Sequence, residues 1–122
     1  MILADTSVWI EHFRKGVPRF GATLLQNRIL AHQIVIGELA TGNLANRKST
    51  LAFLHRLPTV KSATADECLA FIESHRLYGQ GIGWSDVQLL AAARLSKVLL
   101  WTTDKRLAKA ARLLDVAFSP AS

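Results

Sequence analysis

The sequence predicts an α/β fold in which a mostly parallel central sheet is flanked by helices. Three observations predict it. Short apolar runs alternate with segments of helical period along the whole chain. The runs Ile2-Leu3-Ala4, Ile29-Leu30-Ala31 and Val98-Leu99-Leu100-Trp101 are apolar at every position, as strands covered on both faces require. At 122 residues the chain suits one domain, expected over residues 1–122, because two halves would each be too small to bury an adequate core.

Taken in order, Ile2-Leu3-Ala4 is stopped by Asp5-Thr6-Ser7, which favour turns and helix N-caps, and Val8, Trp9 and Phe13 then open a helical pattern. Gly16 and Pro18 break that helix; Phe20, Leu24 and Leu25 mark a second, ending before Arg28. After the strand at 29–31, Gln33 to Thr41 carries Ile36, Leu39 and Ala40 on a helical stripe closed by Gly42. Asn46 to Leu57 forms the next helix, stopped by Pro58, and a weak strand is expected from Thr59 to Ser62. A helix follows from Thr64 or Ala65 to about Tyr78. Gly79-Gln80-Gly81-Ile82-Gly83 lacks dinucleotide-fingerprint spacing and no strand precedes it, so it reads as a connector. Ser85 to Leu95 is a helix, 98–101 a strand, Asp104 to Leu114 a helix, and Val116-Ala117-Phe118 a short terminal strand.

Half of the residues are apolar and 20% are charged, a globular balance, and no apolar run approaches the roughly 18 residues of a membrane span. Asp5 stands where a secretory leader would carry positive charge before a long apolar segment, which argues against export. Cys68 is the only cysteine; that excludes an intramolecular disulfide framework and a cysteine-based zinc cage and leads us to expect the cytoplasm. Fifteen Lys and Arg against nine Asp and Glu give a formal +6, which favours a polyanionic partner such as nucleic acid, although packing proteins of ribosomes and chromatin share that balance.

In an open parallel sheet, ligands gather beyond the carboxyl ends of the strands. Asp5 directly follows the first strand and Asp104 lies three residues after Trp101, so both should point at that edge. Glu38 sits one or two turns into the helix after the second strand, among Ile34, Val35, Ile36, Leu39 and Ala40, a poor place for an unpaired carboxylate. Asp86 lies in the first turn of the helix that feeds the strand at Val98. Each acid has a plainer reading: Asp104, Asp86 and Asp5 as caps or first-turn acids, Glu38 on a solvated face. As a set they would repel unless protons or cations intervened. Mg²⁺ and Mn²⁺ take such oxygen ligands and keep waters for a phosphate substrate. Outside these four acids, fifteen bases face five acids (Glu11, Asp66, Glu67, Glu73, Asp115), a net of +10. An acidic pocket in a basic frame suits a metal-dependent nuclease.

Asp5-Thr6-Ser7 after the first strand, Glu38 in Ile36-Gly37-Glu38-Leu39, Asp86 in Trp84-Ser85-Asp86-Val87 and Thr102-Thr103-Asp104 after an apolar strand resemble a PIN domain, and among PIN domains the VapC-type toxins of bacterial toxin-antitoxin pairs. The resemblance spans nearly the whole chain. It implies a three-layer α/β/α fold and a Mg²⁺- or Mn²⁺-dependent endoribonuclease. It also implies a homodimer silenced by a small antitoxin of the VapB kind lying in a groove between helices. Asp5, Glu38, Asp86 and Asp104 would be the catalytic acids and metal ligands, with Asp5, Asp86 and Glu38 on a first ion and Asp104 positioning that ion, a second one or the water. Thr6 and Thr102 would be the supporting hydroxyls.

Lys105, Arg106, Lys109 and Arg112 follow Asp104 and are candidate RNA contacts, the alternative being a solvated basic face. Trp9, Phe13, Phe20 and Leu24 are expected in the core, or on an apolar groove for an antitoxin helix or a second copy. Trp84 is expected to pack rather than stack on a base. Cys68 is expected to be a small core residue. His12, His32, His55 and His75 share no spacing and pair with no nucleophile, which disfavours a histidine ribonuclease. Two other classes compete. One is a catalytically silent RNA- or protein-binding module of the same fold. The other is a phosphate-accepting receiver-like domain, which wants a lysine after its last strand where 116–120 has none.

Overall fold

The sheet at the centre is short and wholly parallel. In the computed structural model, which describes residues 1–120, β1 (Ile2–Ala4) lies between β2 (Ile29–Leu30) and β3 (Leu99–Trp101). Ile2 is in register with both Ile29 and Leu99, and Ala4 with Trp101. Residues 121 and 122 of the expected domain span lie outside the described residues. Among the described residues seven helices surround these strands: α1 (Thr6–Lys15), α2 (Pro18–Leu25), α3 (Gln33–Ala40), α4 (Arg47–Arg56), α5 (Ala65–His75), α6 (Trp84–Ser96) and α7 (Lys105–Leu113). The arrangement is that of the expected α/β/α fold. None of these helices is long and apolar enough to cross a membrane.

Strands this short hold together because their side chains are buried on both faces, except at Leu99, which starts β3 and is 38% exposed. Ile2, Leu3, Ala4, Ile29 and Leu100 are all 1% exposed or less. Around them pack Trp9 and Phe20, rings edge to face at 4.8 Å, with Leu54, Leu89, Leu90 and Leu107. Cys68, Val87 and Ala91 form a smaller cluster between α5 and α6, so the lone thiol is a core residue. Of the two places expected for these side chains, Phe13 is outside the core, 43% exposed beside a concavity with Ile10, and Leu24 is only partly buried.

Two expected strands shrink to single parallel bridges, Ala31 with Thr59 and Leu100 with Ala117. Each is clasped by two backbone bonds around one residue, such as Ala31 N–H to Pro58 O and Val60 N–H to Ala31 O. Polar, exposed flanks (Thr59, Lys61, Ser119) then draw the chain away before a ladder forms. The helix expected to reach Tyr78 stops at His75, because Arg76 adopts a left-handed conformation (φ 54°) and its N–H closes on the carbonyls of Ile72 and Glu73.

His32 shows how a polar group is accommodated in this core. It is 1% exposed and caps α3, its Nδ1 accepting from the Ile34 N–H at 3.0 Å, while its Nε2 has no partner among the described residues. Burial holds the imidazole below its ordinary value of 6.5. The folded chain therefore takes up this proton less readily than the unfolded chain, and stability is lost as pH falls below the unfolded value. His32→Asn keeps a cap acceptor and removes the titration. Chemical denaturation between pH 7 and 5 should show a flatter stability profile for H32N than for the wild type, whatever the offset between them. Parallel profiles would refute this assignment.

Candidate active site

β1 sits at the point where the chain's path diverges: the connection from β1 runs to β2 on one side, while β3 and the bridge at Ala117 lie on the other. Right-handed crossovers running in opposite directions place their helices on opposite faces, which opens a crevice beyond the carboxyl ends of β1 and β3. The backbone stitches those two ends together, Asp5 N–H donating to Trp101 O at 3.0 Å.

Asp5 occupies this crevice. As N-cap of α1 it accepts from the Val8 N–H at 3.2 Å, so the cap reading is correct. It does more than cap. Oδ1 also accepts from the Ser7 hydroxyl at 2.5 Å, and Oδ2 accepts from the Thr102 hydroxyl across the sheet. The side chain is 5% exposed, and burial pushes its carboxyl above the usual range; the three donors oppose this, and the nearby Asp86 charge adds to it.

The other acids arrive from three separate elements. Glu38, in the second turn of α3, accepts from the Thr6 hydroxyl at 2.6 Å, which ties α3 to α1. Asp86, in the first turn of α6, uses Oδ2 to hold the Gly83 N–H at 3.0 Å, the acidic half of a capping arrangement whose other half Gly83, lacking a side chain, cannot supply. Asp104 caps α7, its Oδ1 accepting from the Arg106 and Leu107 N–H groups at 2.9 and 3.0 Å. The capping interpretation is thus correct for all three aspartates. Yet each cap leaves a carboxylate facing one small cavity of about 160 Å³, lined by Asp5, Thr6, Ser7, Glu38, Asp86 and Asp104 over Leu89. Both expected hydroxyls are present as partners of acids, and Thr102 additionally accepts from the Asp104 N–H at 3.0 Å.

Ser7 has a larger role than its sequence position suggests. Besides bonding Asp5 it accepts from the Thr103 N–H at 3.1 Å, so it links the loops after β1 and β3. Its position directly after an acid and a threonine at a strand end is the only signal in the sequence, and it reads there as a turn. Trp84 is 46% exposed on the first turn of α6, contrary to the expected packing, because it precedes the buried stripe of that helix, which begins at Val87. Of the four bases after Asp104, Arg106 and Lys109 share a concavity on α7, whereas Lys105 and Arg112 do not line it.

Larger concavities exist, of about 590, 420, 360 and 310 Å³; the first three are lined by no acid and the last by Asp115 alone, whereas the smaller cavity gathers four. The acid cavity has the chemistry of a hard-cation site. All its side-chain donors are oxygen, and the most buried carboxylate is destabilised by its surroundings as a positive charge there would relieve. Among the described residues no three acids or imidazoles are gathered as a ready-made cage for an ion. Carboxylates brought to one open cavity from four places in the chain, rather than closed into a cage, fit an ion of the magnesium kind, which takes few carboxylates and retains water.

Residues 2–113 match the PIN domain family. The chain is 40% identical, over 98% of its length and 97% of the other protein's, to "Ribonuclease VapC32" of Mycobacterium tuberculosis, in strain CDC 1551 / Oshkosh and equally in strain ATCC 25618 / H37Rv.

Proposed function

The chain belongs to the PIN domain family, and from that membership we propose that it is the toxin of a toxin-antitoxin pair, an endoribonuclease that hydrolyses RNA phosphodiester bonds with Mg²⁺ or Mn²⁺. The observation that carries the reading is that Asp5, Glu38, Asp86 and Asp104, from four separate places in the chain, line one cavity in a protein whose remaining charge is +10.

Asp5, Asp86 and Glu38 would hold the ion, and Asp104 would orient it, a second ion or the attacking water. When bound, the ion supplies Lewis acidity that neutralises the phosphate and acidifies water. The protein's own groups do the rest. Ser7 and Thr102 fix both oxygens of Asp5, and Thr6 fixes Glu38, so neither carboxylate has to reorganise as charge develops. Asp104 commits Oδ1 to two backbone donors, which leaves Oδ2 for that orienting role toward an ion or the attacking water. The water oxygen joins phosphorus as it gives up a proton, the P–O ester bond breaks, and the departing oxygen takes up a proton from solvent and leaves as an alcohol.

The antitoxin, the homodimer and a cytoplasmic setting belong to the same reading. A concavity of about 420 Å³ flanked by Ile10 and Phe13, 53% and 43% exposed, offers apolar surface to a helical partner such as a VapB-like antitoxin. The single, buried, free cysteine suits a reducing compartment.

The test is incubation of the purified protein with total RNA. Cleavage is expected in Mg²⁺ or Mn²⁺, lost in EDTA and restored by excess Mn²⁺. Cleavage indifferent to EDTA would overturn the metal site; binding without cleavage under all conditions would replace the enzyme with a silent binding module.

A further inference from the structure

A second concavity, of about 360 Å³, lies between the end of α5, the turn after it and α7. His75, Arg76, Gln80, Arg106, Lys109 and Leu113 line it over an apolar floor. Among the described residues its cations have no acidic partner. Among the described residues the one ion pair is Lys15 with Glu11, so Arg76, Arg106 and Lys109 face this hollow without a carboxylate to neutralise them. Three such cations around one hollow repel one another, and an anion entering it would relieve that repulsion.

The hollow is joined to the acid cavity through the start of α7 and the loop at 79–83. Arg106 is the second residue after Asp104, whose carboxylate holds the Arg106 N–H. The Arg106 side chain lies across Gly81, where a Cβ would stand 2.7 Å from both its Cδ and Nη1. Gly81 also has a positive φ of 76°, so glycine suits this position on both counts. Two residues on, Gly83 donates to Asp86. The edge shared by the loop at 79–83 and the start of α7 therefore carries acids on one side and unpartnered cations on the other.

We propose that this basic hollow is a docking site for single-stranded RNA, which grips the backbone phosphates of nucleotides flanking the bond cut in the acid cavity. The inference rests on the nuclease reading and adds where the strand runs. Phosphate is the anion that matches it: cations spaced over two helices suit successive charges on a strand, and the apolar floor with exposed Leu113 (74%) accepts the face of a base.

The test uses Arg76→Asn with Lys109→Gln. Both positions are exposed, and asparagine tolerates the left-handed backbone at 76. The charge-matched control is K48Q/R56Q on α4, which lines neither cavity. The binding probe is a fluorescent 15-nucleotide single-stranded RNA of mixed sequence, titrated in EDTA at several salt concentrations. R76N/K109Q should weaken binding about tenfold or more near 0.1 M salt and lower the slope of log K against log salt by about 1.4, near 0.7 for each phosphate that is no longer neutralised. In Mn²⁺ it should raise KM with kcat unchanged, and K48Q/R56Q should do neither. Equal binding by wild type and R76N/K109Q overturns this inference alone. Equal weakening by test and control variants overturns it in favour of diffuse attraction. Unchanged RNA affinity with lost affinity for a polyglutamate peptide overturns it in favour of an acidic protein partner. A wild type that neither binds nor cuts RNA overturns it together with the proposed function.

Discussion

Asp5→Asn is expected to lower RNA cleavage roughly a thousandfold while making the metal-free protein more stable. The two effects have one cause. Burial pushes the Asp5 carboxyl above its usual range, with Asp86 adding repulsion, so the folded chain binds this proton more tightly than the unfolded chain. The stability that belongs to the protonated form is complete below the unfolded value and is lost as pH rises through the folded value. At neutral pH the ion-free protein carries that cost. Asparagine has no charge to bury, can keep the cap to Val8 N–H and can still accept from Ser7. D5N should therefore unfold at a higher temperature than the wild type in EDTA at neutral pH, and the gap should close as pH falls into the carboxylate range. Millimolar Mn²⁺ should reverse the order: the wild type gains stability, by about 2.7 kcal/mol at a hundredfold excess over Kd, and its Tm rises accordingly, while D5N gains little. Differential scanning fluorimetry with and without Mn²⁺, beside a cleavage assay, reads both effects. A D5N protein that is less stable without metal, or that cuts RNA normally, would remove Asp5 from the centre of the site.

That site is legible in the sequence because the fold is local in the relevant sense. A short apolar strand followed directly by a polar residue delivers it to the sheet edge, and this places Asp5 and Asp104 with no knowledge of packing. Glu38 stands out as a charge among apolar neighbours, and Asp86 as a first-turn acid. What the pattern does not convey is which groups meet across long separations. The Ser7 hydroxyl accepts from the amide of Thr103, 96 residues away, and no periodicity encodes that bond. The pairing of Arg76 with Arg106 and Lys109 likewise depends on the end of α5 lying beside α7. The four bases after Asp104 look alike in sequence; their partners across the hollow distinguish Arg106 and Lys109. The single-residue bridges at Thr59 and Ala117 have the sequence of strands because an apolar or β-branched run signals strand preference, whereas ladder length depends on how far the neighbour continues alongside.

Trp9→Ala should have a larger effect on stability than any of the substitutions above, about 3–5 kcal/mol, a large share of the roughly 5–15 kcal/mol that holds a domain folded. Trp9 is 1% exposed and has Phe20 at 4.8 Å, Phe13 at 5.6 Å and Phe53 at 6.5 Å between ring centroids. It stands one turn after the Asp5 cap, its N–H reaching the Asp5 carbonyl at 3.4 Å, so the ring that anchors α1 to the core also fixes the helix start on which the acid is mounted. Truncation leaves a void under α1 that the rigid strands beside it cannot collapse to fill. Among the described residues its Nε1 has no hydrogen-bond partner, so the indole contributes shape and apolar area and no polar bond that a replacement must reproduce. Trp9→Phe should therefore recover most of the loss, staying within about 2 kcal/mol of the wild type, and should keep cleavage near normal below its Tm. Urea denaturation of W9A and W9F beside the wild type checks this. A W9F protein as unstable as W9A would mean that the indole N–H has a partner after all, and a W9A protein within about 1 kcal/mol of the wild type would mean that α1 is anchored elsewhere.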